Sequence, residues 1–325
     1  MTKKLVVLCI LSLALPTTSS WADPLTLANG FNVFVHGDMS LKADVGGRTA
    51  VGGNATFTSF AIGSGDNSNN GAALTQDPAR LDLVVGGHAS LTNGSVNKGR
   101  AWAGSASQSS VGYHTPGASM QTGGVSPVDF AAEFAALDAL SQNLLRLAGN
   151  GTSVRTPWNT LTLKAEDAVL NVFDIDASLL SGLSSLDIIV PTTSTVLFNV
   201  TGTSLAMRYM GIQVNGVQNN AMSSQLLWNF SELTTLDLTG LSWRGSILAP
   251  SARMTFANGN INGQLVVASL QTDWGGEYHN FAFSGDLPRL DEDDDVAPVP
   301  EPVTLLLLAA AGGYVARRRW LTPPA

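Results

Sequence analysis

The heptapeptide Val51-Gly52-Gly53-Asn54-Ala55-Thr56-Phe57 recurs as Val85-Gly86-Gly87-His88-Ala89-Ser90-Leu91. A short apolar run, a Gly pair and a second short run are written twice in the same order. Leu248-Ala249-Pro250-Ser251-Ala252-Arg253-Met254 is a weaker echo. Gly47-Arg48 and Gly99-Arg100 each open a strand-like run, and Gly245-Ser246-Ile247-Leu248-Ala249 and Gly263-Gln264-Leu265-Val266-Val267-Ala268 form a late pair. Each unit is too short to bury its own apolar side chains, and stacked coils solve this by letting each rung cover the next. Strand runs with Gly and Asn turns also suit a sandwich or a barrel. The recurrence favours a solenoid, against the bland alternative of chance repetition of β-turn chemistry.

Strand signals fill the body on either side of one exception. Before it stand residues 32–36, 49–51 and 55–58; after it come 160–163, 170–175, 186–190, 195–200, 226–230 and 236–238. The exception is helical. Ser126-Pro127 supplies an N-cap and a first-turn Pro. Phe130, Phe134, Leu137, Leu140, Leu144 and Leu147 then recur at three- and four-residue steps, and Gly149 offers a stop. A helix over about 127–148 is expected to lay this stripe along the β-structure, because a lone helix is marginal in water; a partner-binding face is the alternative. The fold class expected is mainly β, a right-handed β-helix with one long α-helix packed along its side.

Both ends read as targeting segments. Lys3 and Lys4 precede an apolar run, and Ser20-Trp21-Ala22 follows, which is the order of a secretory signal cleaved between Ala22 and Asp23. Cys9, the only cysteine, lies inside that run, so the mature chain is expected to have no disulfide or thiol nucleophile. At the other end an acidic stretch, 291–295, leads to Val299, Pro300, Glu301 and Pro302, an apolar stretch, and the cluster Arg317, Arg318, Arg319. The apolar stretch is short against the roughly 20 residues of a membrane helix, and the Arg cluster would stay cytoplasmic. The expected organisation is a signal peptide over 1–22, one β-solenoid domain over 23–290, an acidic spacer over 291–298 and a sorting and anchor segment over 299–321.

This tail resembles the PEP-CTERM sorting signal of Gram-negative bacteria. The resemblance implies an exosortase-type processing partner, transient anchoring in the inner membrane and delivery to the cell surface or extracellular matrix. The body is similar to the choice-of-anchor A family. The residues that carry this are Phe31-Asn32-Val33-Phe34-Val35-His36-Gly37-Asp38, Asp44 to Asn54, Leu83-Val84-Val85-Gly86-Gly87, Asn171-Val172-Phe173, Gly245 to Pro250 and Asn262-Gly263-Gln264-Leu265-Val266. The late rungs and the inserted helix also look similar to ice-binding β-solenoids. These likenesses imply an adhesive or matrix protein without assigned catalytic residues.

Chemistry motifs are sparse. A formal charge of −8 argues against a nucleic-acid surface. His36, His88, His114 and His279 have no metal-ligand spacing, and there is no nucleophile elbow, P-loop or dinucleotide fingerprint. No catalytic residue, metal or cofactor is expected. The acidic run lacks the Gly turn and alternate spacing of a calcium loop. Asp174 and Asp176 share a strand face, as glycosidase carboxylates do, but such pairs are routine on an exposed strand. Three classes follow: a displayed structural or adhesive protein; a polysaccharide- or ice-binding solenoid; and a β-helix enzyme acting on polysaccharide. Ice binding wants a flat Thr array, and Thr56/Thr58 and Thr160/Thr162 do not recur at a fixed period. Exopolysaccharide or surface-glycan binding wants exposed aromatics, for which Trp102, Tyr113, Trp243, Trp274 and Tyr278 are the candidates.

Overall fold

Stacked parallel strands build three faces of a coil. The computed structural model describes residues 27–65, 71–273 and 275–288, all within one compact unit. The signal segment, the acidic spacer, the sorting motif, the Arg cluster and Trp274 lie outside the described residues. One 18-stranded sheet wraps the coil, and a separate four-stranded sheet holds residues 152–155, 160–164, 185–189 and 211–214.

The order of rungs along the stack is not the order of the chain. On the first face the neighbours run 170–176, 195–201, 226–229, 246–249, 265–267, 33–35, 49–51, 83–85, 101–103 and 120–122. The chain thus starts in the middle of the stack and winds to one end. It then crosses to the far end and winds back until Leu265–Thr272 docks against Val33–Val35. All of these pairings are parallel; Thr152–Arg155, at the edge of the small sheet, pairs antiparallel with Thr160–Lys164.

The Gly repeat is a stacked corner. Val51 pairs with Val85 and Ala55 with Ala89, so the two heptapeptides lie directly on each other. A Cβ on Gly52 would collide with the His36 carbonyl, one on Gly86 with the Gly52 carbonyl, and one on Gly104 with the Gly86 carbonyl. The late pair also stacks, Ile247 on Leu265. The echo at 248–254 falls on the same corner with two residues more than the rung it pairs with: Ala249 lies in register with Val267, and Met254 with Leu270, across a register shift. At the next corner Ser59, Asn93 and Ser110 take φ of 52°, 51° and 57°, turning the chain through the left-handed region.

Inward side chains fill the coil. Phe173, Phe198 and Trp228 stack on successive rungs with centroids 5.4 and 3.8 Å apart. Outward on the first face, Val172, Leu197, Leu227, Leu248, Val266, Phe34, Ala50 and Val84 are also buried. The helix Phe130–Leu144 lies over this ladder, and its Phe134, Leu137 and Leu144 are buried. Its 15 residues span about 22 Å, close to the height of five rungs at roughly 4.8 Å each. Packing, rather than a partner-binding stripe, is the outcome.

The helix ends differ from expectation. Asp129 is the N-cap, accepting from the Ala132 amide, whereas Ser126 bonds locally to Val128. The helix stops at Leu144, because Leu145, Arg146 and Leu147 bond back only three residues. Gly149 comes later and packs beside Asp174.

Candidate functional site

The second face of the coil is a run of eight parallel strands. Its rungs are 204–208, 235–239, 253–257, 269–272, 39–41, 55–58, 89–92 and 105–109. Alternate side chains point outward. Ser40, Thr56, Ser90 and Ser107 stand in one column, and Thr58, Thr92 and Ser109 in the next. All of these are partly or fully exposed. Beside them Asp38 accepts from the Asn54 amide, and Asn54 accepts from the His88 amide. The His88 ring lies 2.9 Å from Ser105 Oγ and 3.2 Å from Ser107 Oγ. Columns of hydroxyls at strand spacing make an ordered two-dimensional array of donors and acceptors.

The two halves of this face differ. The lower rungs carry the Arg208–Asp237 ion pair, with Thr239 donating to Asp237, and Arg253. At the seam between rungs 269–272 and 39–41 lies a shallow depression of about 420 Å³, bordered by Asp38, Ser40, Asn54, Arg253 and Gln271.

Thr56 and Thr58 therefore belong to an array after all, although the spacing is irregular: Thr56 pairs with Ser90, 34 residues on, and Ser90 with Ser107, 17 residues on. Thr160 and Thr162 lie in the separate small sheet. The four aromatic candidates among the described residues do not form an exposed platform. Trp243 and Tyr278 are wholly buried, Trp102 is buried with its Nε1 donating to the Gly123 carbonyl, and Tyr113 is half-buried, its phenol pushed up to about 12 by burial. Among the described residues the exposed aromatics are Trp158 and Tyr209, which sequence reading did not single out. Asp176 is the N-cap of the short helix Ala177–Leu180, accepting from Ser178, so it serves the backbone. His36 stacks on Phe134, and His279 is buried between Asn262 and Glu277. Among the described residues no three potential ligands gather as a metal site, and no helix is long and apolar enough to cross a membrane.

A parallel coil with a helix laid along it and columns of hydroxyls on one face is a β-solenoid. The chain belongs to the family described as "Putative Ice-binding-like adhesive domain", whose model matches residues 24–280. The match bears out the likeness to ice-binding solenoids read from the late rungs and the helix. Solved structures similar to it include an ice-binding protein from the Antarctic ascomycete Antarctomyces psychrotrophicus, at 16% identity over 65% of this chain and 96% of that one, TM-score 0.34. Another is an ice-binding protein from an Antarctic biological consortium, at 12% identity over 84% and 96%, TM-score 0.34. A third, from an Arctic yeast, has 14% identity over 82% and 96%, TM-score 0.32. No curated protein matches by sequence.

Proposed function

We propose that this protein is an exported adhesive domain that binds an ordered hydroxylated surface, ice in the first instance, through the face of its second set of strands. The supporting observation is the register of Thr56 with Ser90 and Ser107 and of Thr58 with Thr92 and Ser109. A ligand ordered in two dimensions is matched best by side chains held in two dimensions. A stacked sheet holds them without ordering cost at the moment of binding. The family description agrees in kind. The coil is proposed to wind right-handed, as parallel crossovers overwhelmingly do, and the protein binds without turnover.

Display belongs to the same proposal. The segment with Val299, Pro300, Glu301 and Pro302 and the cluster Arg317, Arg318 and Arg319 would direct exosortase-type processing, and a choice-of-anchor A protein would be used in this way. Cleavage after Ala22 would leave the body outside the inner membrane.

Thr56→Tyr is the test. Thr56 is exposed and its neighbours Ala55 and Phe57 carry the packing, so the fold should hold while the hydroxyl face is broken. We expect at least tenfold loss of partition into growing ice with an unchanged melting temperature. Equal partition of both proteins would place ice binding elsewhere. A second reading, adhesion to exopolysaccharide, is favoured by the seam depression between Asp38 and Arg253; wild-type protein that ignores ice but binds matrix glycans would select it.

A further inference from the structure

A cleft opens on the third face, where the strands part. Gly211–Val214 ends the small sheet and Ser242–Arg244 belongs to the large one, with no strand pairing between them. The opening has a volume of about 870 Å³ and is lined by Arg244, Asn220, Asn260, Gln218, Ser242 and Phe281, among others. Arg244 is only 4% exposed. Its Nε donates to the Ile212 carbonyl at 3.1 Å and its Nη1 to Asn220 Oδ1 at 2.6 Å. Among the described residues no carboxylate forms an ion pair with it. Glu277, on the same lining, is engaged by His279 Nε2 at 3.0 Å. Asn260 Oδ1, also on the lining, is buried and accepts no hydrogen bond from any described residue.

A guanidinium withdrawn from water wants a counter-charge, and carboxylate is the partner its planar fork fits best. Burial lowers the Arg244 pKa, which marks the same unmet demand. Among the described residues that line the cleft, Arg244 is the one Lys or Arg, which suits a single carboxylate better than a phosphate cluster. The remaining wall offers amides and hydroxyls, with the Phe281 ring for an apolar face.

We propose that this cleft is a saccharide subsite that takes the carboxylate of a uronic acid unit on Arg244, with Asn260 and Gln218 positioned for its hydroxyls. The site lies apart from the hydroxyl face and gives the adhesive body a second, charge-selective contact.

Titration of the full chain with trigalacturonate and with its methyl ester, followed by calorimetry, is the experiment. The acid should bind at least tenfold tighter than the ester. Arg244→Met should remove at least tenfold of that affinity without lowering the melting temperature, because the unpaired buried charge goes with it. Asn260→Asp keeps the test alive if Arg244→Met fails to fold: its new carboxylate should compete for the cleft, weaken the acid at least tenfold and raise the melting temperature. Thr56→Tyr should bind as wild type. Equal binding of acid and ester, or undiminished binding in both cleft variants, overturns the proposal. So does binding that emerges only when residues 291–295 are neutralised to Asn and Gln, since the occupant is then the chain's own acidic run.

Discussion

Asn229 clips the helix to the coil. Its Nδ2 donates to Asn199 Oδ1 at 3.0 Å and to the Ser141 carbonyl at 2.9 Å, and its Oδ1 accepts from Ser141 Oγ at 2.5 Å. Asn199 in turn donates to the Leu144 carbonyl at 2.9 Å, satisfying one orphan of the helix C-terminus. Such polar pairs fix register where an apolar ladder alone would let the helix slide. They were invisible in the sequence, since an Asn within a strand run looks like any other. At the same scale, Asp44 predicts a pH effect. Burial, then the Glu277 charge, holds its carboxyl above the ordinary 3.8. The folded state therefore binds this proton more tightly than the unfolded chain. The stabilising proton is fully in place below the unfolded value and is lost as pH rises through the folded one. Asp44→Asn should melt with wild type at about pH 3 and above it at about pH 7. A melting-temperature difference that shrinks with rising pH would contradict this.

The helix was the most legible element, because its three- and four-residue spacing needs nothing from the rest of the chain. Phe134, Leu137 and Leu144 fell on the buried side as the stripe implied. What the stripe could not show was Ser141 buried in the same seam, or the Asp129 cap that displaces Ser126. The hydroxyl face was harder. Loops of different length separate its rungs, so a period search along the sequence cannot align Thr56, Ser90 and Ser107. Phe134 tests the seam. Its ring stacks 5.1 Å from Phe34 and 4.5 Å from His36. Phe134→Asp removes that contact and buries a charge with no partner, at about 3–5 kcal/mol. With roughly 2–4 °C per kcal/mol for a chain of this size, the melting temperature should fall by about 10 °C. An unchanged melting curve would mean that the stripe is free in solution.

The chain's path sets how the molecule holds together. Rungs 33–122 and rungs 170–279 are separate in sequence but form one continuous stack, joined where Val33–Val35 lies between Leu265–Thr272 and Thr49–Val51. The repeats announced stacked rungs but carried no sign of this order, because each rung resembles its neighbours whether the stack runs straight or starts in the middle. The cleft beside Arg244, where the small sheet parts from the large one, was flagged by no motif either. At the joint stands Asn32, wholly buried. Its Nδ2 donates to the Gly263 carbonyl at 2.9 Å and the His279 carbonyl at 3.2 Å, and its Oδ1 accepts from the Gly47 amide at 3.1 Å. One side chain thus ties the first rungs to the last, across 231 and 247 residues. Two consequences follow from this closure. The stack should unfold as a unit, because neither part can leave without exposing the apolar faces of both rungs at the joint. Scanning calorimetry should give one endotherm whose calorimetric and van't Hoff enthalpies agree. Asn32→Ala leaves two carbonyls and one amide without their buried partner, a loss of about 2–4 kcal/mol at about 1 kcal/mol or more each. It should shift that single endotherm downward by several degrees and then broaden it, as the two runs of rungs begin to melt separately. Two resolved endotherms in the wild-type protein would show that the joint does not couple them.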